Sequence, residues 1–311
     1  MTYKVALTGT TGKLGGAVLR SICENKLIAP SQLVIATSSD PSHSRWDDLR
    51  VQGASIRSAN FDDPSSMVAA FQGCDRVFIV SSTVISLDFH DCAEGGRERH
   101  HIAAIDAARA AGVKHIYYTS LGFADRSKSE VMRAHLVTEK YLQDKVNDTR
   151  WTILREGLYN ESWPLYLGHW NIGNDQRAVV KIAGDGKINW TSIPDLGLAN
   201  ASIIVDDSLR WNHKIVTLSA MNSHTLAEVA EMVSSSLGRE LRVEIVSRNE
   251  HEQYYIDEQG EDEGMIKWWS RTYDALPDGE CEKFDNTFVQ LLRPFGRGPK
   301  PMQETVAEML K

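Results

Sequence analysis

Short apolar runs alternate along this chain with longer stretches in which apolar residues recur every three or four positions. Val5 to Leu7 form a run of strand length, and Ala17, Val18, Leu19 and Ile22 behind it make a helical stripe. The same pair of patterns then repeats. Strands are expected at 32–37, 54–60, 76–80, 114–119 and 150–154. Between them lie a short helical or irregular piece near 46–50, a helix carrying Met67, Val68 and Phe71, a long helix over 97–111 closed by Gly112, and another over 129–145. Asp63 reads as an N-cap with Pro64 at the first helical position. The run from Arg76 to Val80 is almost continuously apolar, as a parallel strand covered on both faces requires. Strand and helix alternate to about residue 155, which predicts an α/β fold with a doubly wound parallel sheet of the Rossmann type.

Beyond Arg155 the rhythm changes. A hairpin is expected over 179–190 around Gly184, Asp185 and Gly186, then a helix at 195–205, a strand at 213–218, a helix at 224–237 closed by Gly238, and a strand at 241–246. The remainder, with Trp268, Trp269 and Tyr273, reads as helical, and the acidic run over 257–263 as a solvated face, not a metal site. The chain thus divides into a doubly wound domain at 1–157 and a smaller lobe at 158–311 expected to cover its ligand crevice, whose strands and helices partly return to the main sheet.

With 311 residues, the chain is long enough for one α/β domain and an appended region. A formal net charge of −8 argues against direct nucleic-acid binding driven by phosphate contacts. Cys23, Cys74, Cys92 and Cys281 are scattered without a paired spacing, which fits reduced thiols better than disulfides or zinc. No apolar stretch approaches membrane-spanning length, and the chain enters its first strand without a leader, so a cytoplasmic protein is expected, with no membrane partner.

The chemistry begins at the first turn, where Gly9, Thr10, Thr11, Gly12, Lys13, Leu14 and Gly15 link the first strand to the first helix. Gly9 permits a sharp turn, Gly12 lets the backbone approach a pyrophosphate, and Gly15 lets the helix lie close to the strand. The helix N-terminus would then offer its free N–H groups to the phosphates. The glycines are spaced three apart, unlike the common dinucleotide fingerprint.

That loop, together with Phe61 to Pro64, the stretch from Ala107 to Ser120, Thr152 to Arg155, Ile193 to Leu196 and the helix from Thr225 to Gly238, resembles the NmrA-like family of atypical short-chain dehydrogenases. The resemblance spans nearly the whole length. It implies binding of NADP(H) or NAD(H), and a function either as a reductase or as a sensor of the coenzyme that answers to a protein partner. Ordinary short-chain dehydrogenases use a Tyr and a Lys four residues apart, and Tyr141 and Lys145 have that spacing. Alignment on the Arg155 that ends the sixth strand instead puts Val131 and His135 at the family's positions, so the phenol is absent and His135 takes the lysine's place beside the ribose. Ser120 matches the family's serine.

Coenzyme choice depends on the residues just past the second strand. Thr37, Ser38, Ser39 and Arg45 favour a 2′-phosphate, hence NADP(H) over NAD(H), while Asp40 before Pro41 reads as a turn residue, although a role as ribose ligand stays open. The adenine is expected at Phe61 and Asp62, with Ser81, Ser82 and Thr83 beside the ribose and nicotinamide. Without the Tyr and Lys pair, substrates needing little protonation are favoured: a planar, conjugated small molecule of quinone, enone or imine type. Tyr159 is the candidate proton donor, Phe123 and Trp163 are candidate stacking residues, and His90 is an outlying pocket candidate. A non-catalytic sensor, or a redox-neutral isomerase or epoxide-opening enzyme, would fit the same losses.

Overall fold

The computed structural model describes residues 3–89 and 95–311. Its strands are β1 (Val5–Leu7), β2 (Leu33–Thr37), β3 (Ser55–Ser58), β4 (Arg76–Ile79), β5 (His115–Leu121), β6 (Arg150–Glu156), β7 (Leu158–Tyr159), β8 (Val179–Ile182), β9 (Ile188–Thr191), β10 (Lys214–Leu218), β11 (Ser223–His224) and β12 (Arg242–Ile245). The helices are α1 (Lys13–Glu24), α2 (Asp47–Val51), α3 (Pro64–Phe71), α4 (Glu98–Ala110), α5 (Glu130–Lys145), α6 (Trp163–Tyr166), α7 (Ile193–Val205), α8 (Leu226–Leu237), α9 (Arg248–Gln253), α10 (Glu263–Ala275), α11 (Thr287–Leu292) and α12 (Met302–Met309).

Seven strands form one parallel sheet in the order β10-β6-β5-β4-β1-β2-β3. Side chains alternate between its faces, as a strand's two-residue period demands. Leu7, Ile35, Phe78 and Leu154 meet Leu14, Val18 and Ile22 of α1 and Leu196 and Ile203 of α7 on one face. Ala6, Val34, Val77, Ile116, Tyr118 and Ile153 meet Phe71, Ala104, Ala108 and Leu142 on the other. The doubly wound sheet is therefore as the pattern predicts, and its order reverses between β1 and β4. Ligands of such sheets bind in the crevice at that switch point.

The later half contributes to both bodies. β10 completes the main sheet beside β6, and α7 lies on α1. The rest surrounds a separate aromatic core containing Trp163, Tyr166, Trp170, Trp190, Trp268, Trp269 and Tyr273. One expectation fails here, because residues 179–190 do not form a hairpin. β8 pairs with β12, while β9 pairs with β7 and β11. The intervening turn is held apart by other duties: the Asp185 carboxylate accepts the Leu226 and Ala227 amides at the start of α8, and Gly184 and Gly186 lie against the backbone of Tyr273 and Leu276. The acidic residues over 257–263 are exposed, as expected.

Candidate coenzyme and active site

At the switch point, Thr8 ties the two diverging halves of the sheet together. Its N–H donates to Phe78, and its hydroxyl accepts the Val80 N–H at 2.9 Å. The chain then turns at Gly9, whose φ of 65° and whose approach to Val80, 2.9 Å from where a Cβ would stand, both exclude larger residues. A Cβ on Gly15 would overlap the Gly9 carbonyl, so this glycine sets how closely α1 approaches β1. Gly12 is the N-cap of α1 and offers no side chain to its first turn. Thr10, two residues before it, is buried, and its hydroxyl has no hydrogen-bond partner. An uncapped helix start beside an orphaned buried hydroxyl is suited to a diphosphate, which would accept from both. Thr11, Gly12 and Lys13 are exposed around it, while Leu14 is buried.

The loop after β2 is built by its own polar groups. The Thr37 hydroxyl accepts the Ser39 N–H at 3.1 Å, and Asp40 accepts both the N–H and the hydroxyl of Ser42, which keeps its carboxyl below its usual pKa. Asp40 is thus a turn residue. Ser38, Ser39 and Arg45 are exposed. Arg50, which sequence reasoning passed over, donates to the Pro41 carbonyl at 2.5 Å and fixes the loop from below.

Beyond β4 the structure departs from expectation at Ser82. Its N–H donates to His101 Nε2 at 3.0 Å, its carbonyl accepts from Arg97, and its hydroxyl lies 2.9 Å from His100 Nδ1. Ser82 is buried with its polar groups already engaged, so it supports the loop and does not face a ligand. Ser81 is half-buried and Thr83 exposed. Phe61 stacks on His100 with centroids 5.4 Å apart, and Asp62 accepts from His100 Nε2 at 3.1 Å. Phe61, Asp62, Val84 and His100 line a cleft of about 340 Å³. Arg97 pairs with Asp88 at 2.6 Å, both enclosed, and also donates to the Val131 carbonyl, which locks this loop to α5.

Helix α5 brings His135 toward β5. The ring is almost wholly buried, and its Nδ1 lies 2.9 Å from the Tyr118 hydroxyl. Burial, and then the Arg97 charge, push its pKa well below that of a free histidine, so His135 is a neutral ring and brings no fixed charge. Ser120 is also buried and donates its hydroxyl to Glu139 at 2.6 Å. Arg155 grips the same carboxylate at 2.9 and 2.5 Å and reaches Asp125 at 2.5 Å. Ser120 is therefore part of a buried ion-pair cluster between β5, β6 and α5. Tyr141 donates to Asp106 at 2.6 Å on the outer side of α4, and Lys145 is exposed. Neither shares the α5 face that holds His135.

Tyr159, just past β6, is half-buried, and its hydroxyl has no hydrogen-bond partner among the described residues. Burial, with Glu156 and Glu161 adding to it, raises its pKa, so the phenol keeps its proton. Glu156 itself is fully buried. It takes one hydrogen bond from Asn200 at 3.1 Å, and burial holds its carboxyl well above the usual range, hence protonated. Phe123 and Trp163 were expected to stack on a substrate; both are instead enclosed in the lobe core, because the aromatic cluster around Trp170 and Trp190 covers them. His90 lies outside the described residues. Besides Arg50, the residues missed from sequence include His101, Tyr118, Thr8 and Glu156. The adjacent His100 and His101 at the head of an otherwise alanine-rich helix were the available signal.

This arrangement, a glycine-turned helix start at the switch point of a doubly wound parallel sheet, defines a Rossmann-type coenzyme-binding protein. The model of the NmrA-like family matches residues 1–268, and the chain belongs to that family. It is 27% identical over 309 residues to an NmrA-like family domain-containing oxidoreductase of Aspergillus flavus, covering 98% of this chain and 94% of that one. It is 30% identical over 243 residues to quinone oxidoreductase 2 of Escherichia coli, covering 78% of each. The solved structure of the Escherichia coli NADPH-dependent quinone oxidoreductase with NADPH superposes with a TM-score of 0.80 at 27% identity, over 99% of this chain and 100% of that one. The triphenylmethane reductase of Citrobacter with NADP(H) gives 0.79 at 26% identity with the same coverage.

Proposed function

We propose that the protein is an NADPH-dependent oxidoreductase that reduces a planar conjugated small molecule of quinone, enone or imine type. The observation that carries this reading is the α1 start, which has a buried, partnerless Thr10 hydroxyl beside N–H groups that no side chain caps. In this reading the loop from Gly9 to Gly15 holds the diphosphate. Thr37, Ser38, Ser39 and Arg45 take the 2′-phosphate, and Phe61 and Asp62 border the adenine. Ser81 and Thr83 run beside the ribose and nicotinamide. When bound, the coenzyme supplies hydride.

The chain's own groups then have limited tasks. His135, neutral and enclosed, gives a hydrogen bond and no charge. Tyr159 donates a hydrogen bond to the oxygen or nitrogen of the acceptor. With its pKa raised, it yields a proton only to a strongly basic atom, which favours acceptors whose reduced form delocalises its charge. Ser120 acts through Glu139, whose place it fixes. The relatives named as quinone oxidoreductase and NADP(H)-bound triphenylmethane reductase support the substrate class.

The test is turnover of NADPH by purified protein against a panel of quinones, enones, cyclic imines and cationic dyes. Selective oxidation of NADPH by one of these classes is expected. Tight NADPH binding with no oxidation across the panel would assign the chain to coenzyme sensing.

A further inference from the structure

Two histidines and a tyrosine stand in line on the α5 face of the sheet, joined by hydrogen bonds from the Ser82 amide to His135. The Ser82 amide can only donate, so His101 Nε2, 3.0 Å away, is unprotonated. His101 is enclosed, and burial with the Arg97 charge keeps it neutral, so its proton sits on Nδ1. That nitrogen lies 3.0 Å from both the Thr138 and the Tyr118 hydroxyls. Thr138 spends its own proton on the Ala134 carbonyl at 2.8 Å and accepts here. Tyr118 likewise accepts from His101, and its own proton has two places to go, Thr138 or His135 Nδ1 at 2.9 Å. When that proton goes to His135, the ring keeps its own on Nε2, which bonds to no described residue.

We propose that the Ser82 amide, His101 and Tyr118 form a positioning relay that fixes His135 as an Nε2–H donor to the nicotinamide-ribose hydroxyl, an inference that rests on the coenzyme reading of the site. A lysine in this place would donate in any orientation of its protons. A neutral histidine donates from Nε2 in only one of two tautomers, so exchanging an amine for an imidazole requires something to choose between them. The relay makes that choice from a backbone amide, which has no alternative protonation state.

The test begins with the unmodified protein, using isotope-labelled histidine and a long-range proton–nitrogen correlation spectrum without coenzyme. His101 is expected as the Nδ1–H tautomer and His135 as the Nε2–H tautomer. The opposite tautomer at either ring overturns the relay, whatever the protein binds. Tyr118→Phe is then expected to give His135 a mixed tautomer spectrum and to weaken NADPH binding by about threefold to tenfold, the worth of one hydrogen bond. In a His135→Gln background, whose amide nitrogen donates without a tautomer to select, Tyr118→Phe should change NADPH affinity less than about twofold. Equal weakening in both backgrounds would mean that Tyr118 is merely structural, and no weakening in either would remove His135 from the ribose. Failure of wild-type protein to bind NADPH at all would overturn the coenzyme reading while leaving the tautomer result to stand by itself.

Discussion

Gly12 separates folding from binding more cleanly than its neighbours. Its backbone is extended, with φ of −87°, so a side chain brings no backbone strain, and a Cβ there would stand 3.3 Å from the Gly9 carbonyl oxygen, a contact that the loop relieves by shifting a few tenths of an ångström. Gly12→Val is expected to leave the thermal transition within about 1 kcal/mol of wild type and to abolish NADPH binding, as read by calorimetry. Normal affinity would remove the loop from the diphosphate. Arg45→Ala should weaken NADPH at least about tenfold while sparing NADH, since a charge-assisted contact to a 2′-phosphate is lost only with the former; equal losses would exclude Arg45 from that site. Tyr141→Phe should retain nearly full turnover, because its phenol serves Asp106 on the far side of α4. At this scale the glycine loop was legible in the sequence because spacing alone constrains it. Phe123, Trp163 and Ser82 were not, because whether a side chain faces a ligand or its own core depends on neighbours remote in sequence.

Among the elements, α5 is joined to the sheet by polar contacts as well as by Leu142. Glu139 and Arg155 form an enclosed ion pair closed by Ser120, so removing one partner strands the other's charge. Glu139→Ala should lower stability by about 3 kcal/mol in urea unfolding, with Arg155 keeping only Asp125 at the surface. A loss below about 1 kcal/mol would show that water reaches the pair. Ser120→Ala, which leaves the ion pair intact, should cost about 1 kcal/mol. Element type and order were readable up to residue 155 because the central strands β1, β2 and β4 are buried on both faces and the long helices show a stripe. The hairpin expected over 179–190 failed because a turn signal reports only local bending. It does not reveal that Asp185 caps a helix some forty residues later.

For the molecule as a whole, buried titratable groups set opposing slopes of stability against pH. His115 is pushed down to about 3, and His169 and His251 to about 4, chiefly by burial, with His101 and His135 also well below 6.5. The unfolded chain therefore takes up protons that the folded one refuses, so this stability is present above pH 6.5 and is lost as pH falls through the folded values. Glu156 acts in the other sense: its folded pKa is raised, so its contribution is present below 4.5 and is lost as pH rises through the folded value. Glu156→Gln should raise the melting temperature above neutrality and leave it nearly unchanged in acid; an equal shift at both ends would show that Glu156 is already ionised in the fold. The segments on either side of residue 157 are also interlocked. A Cβ on Gly197 would stand 2.6 Å from the Ala17 carbonyl carbon, so α7 lies backbone against backbone on the helix that begins at the nucleotide loop, while β10 supplies the last strand of the first half's sheet. The later half is thus not a cassette that recombination could exchange intact. A new specificity would have to arise by substitution within loops, with α1 kept in place by a segment encoded far downstream in the gene.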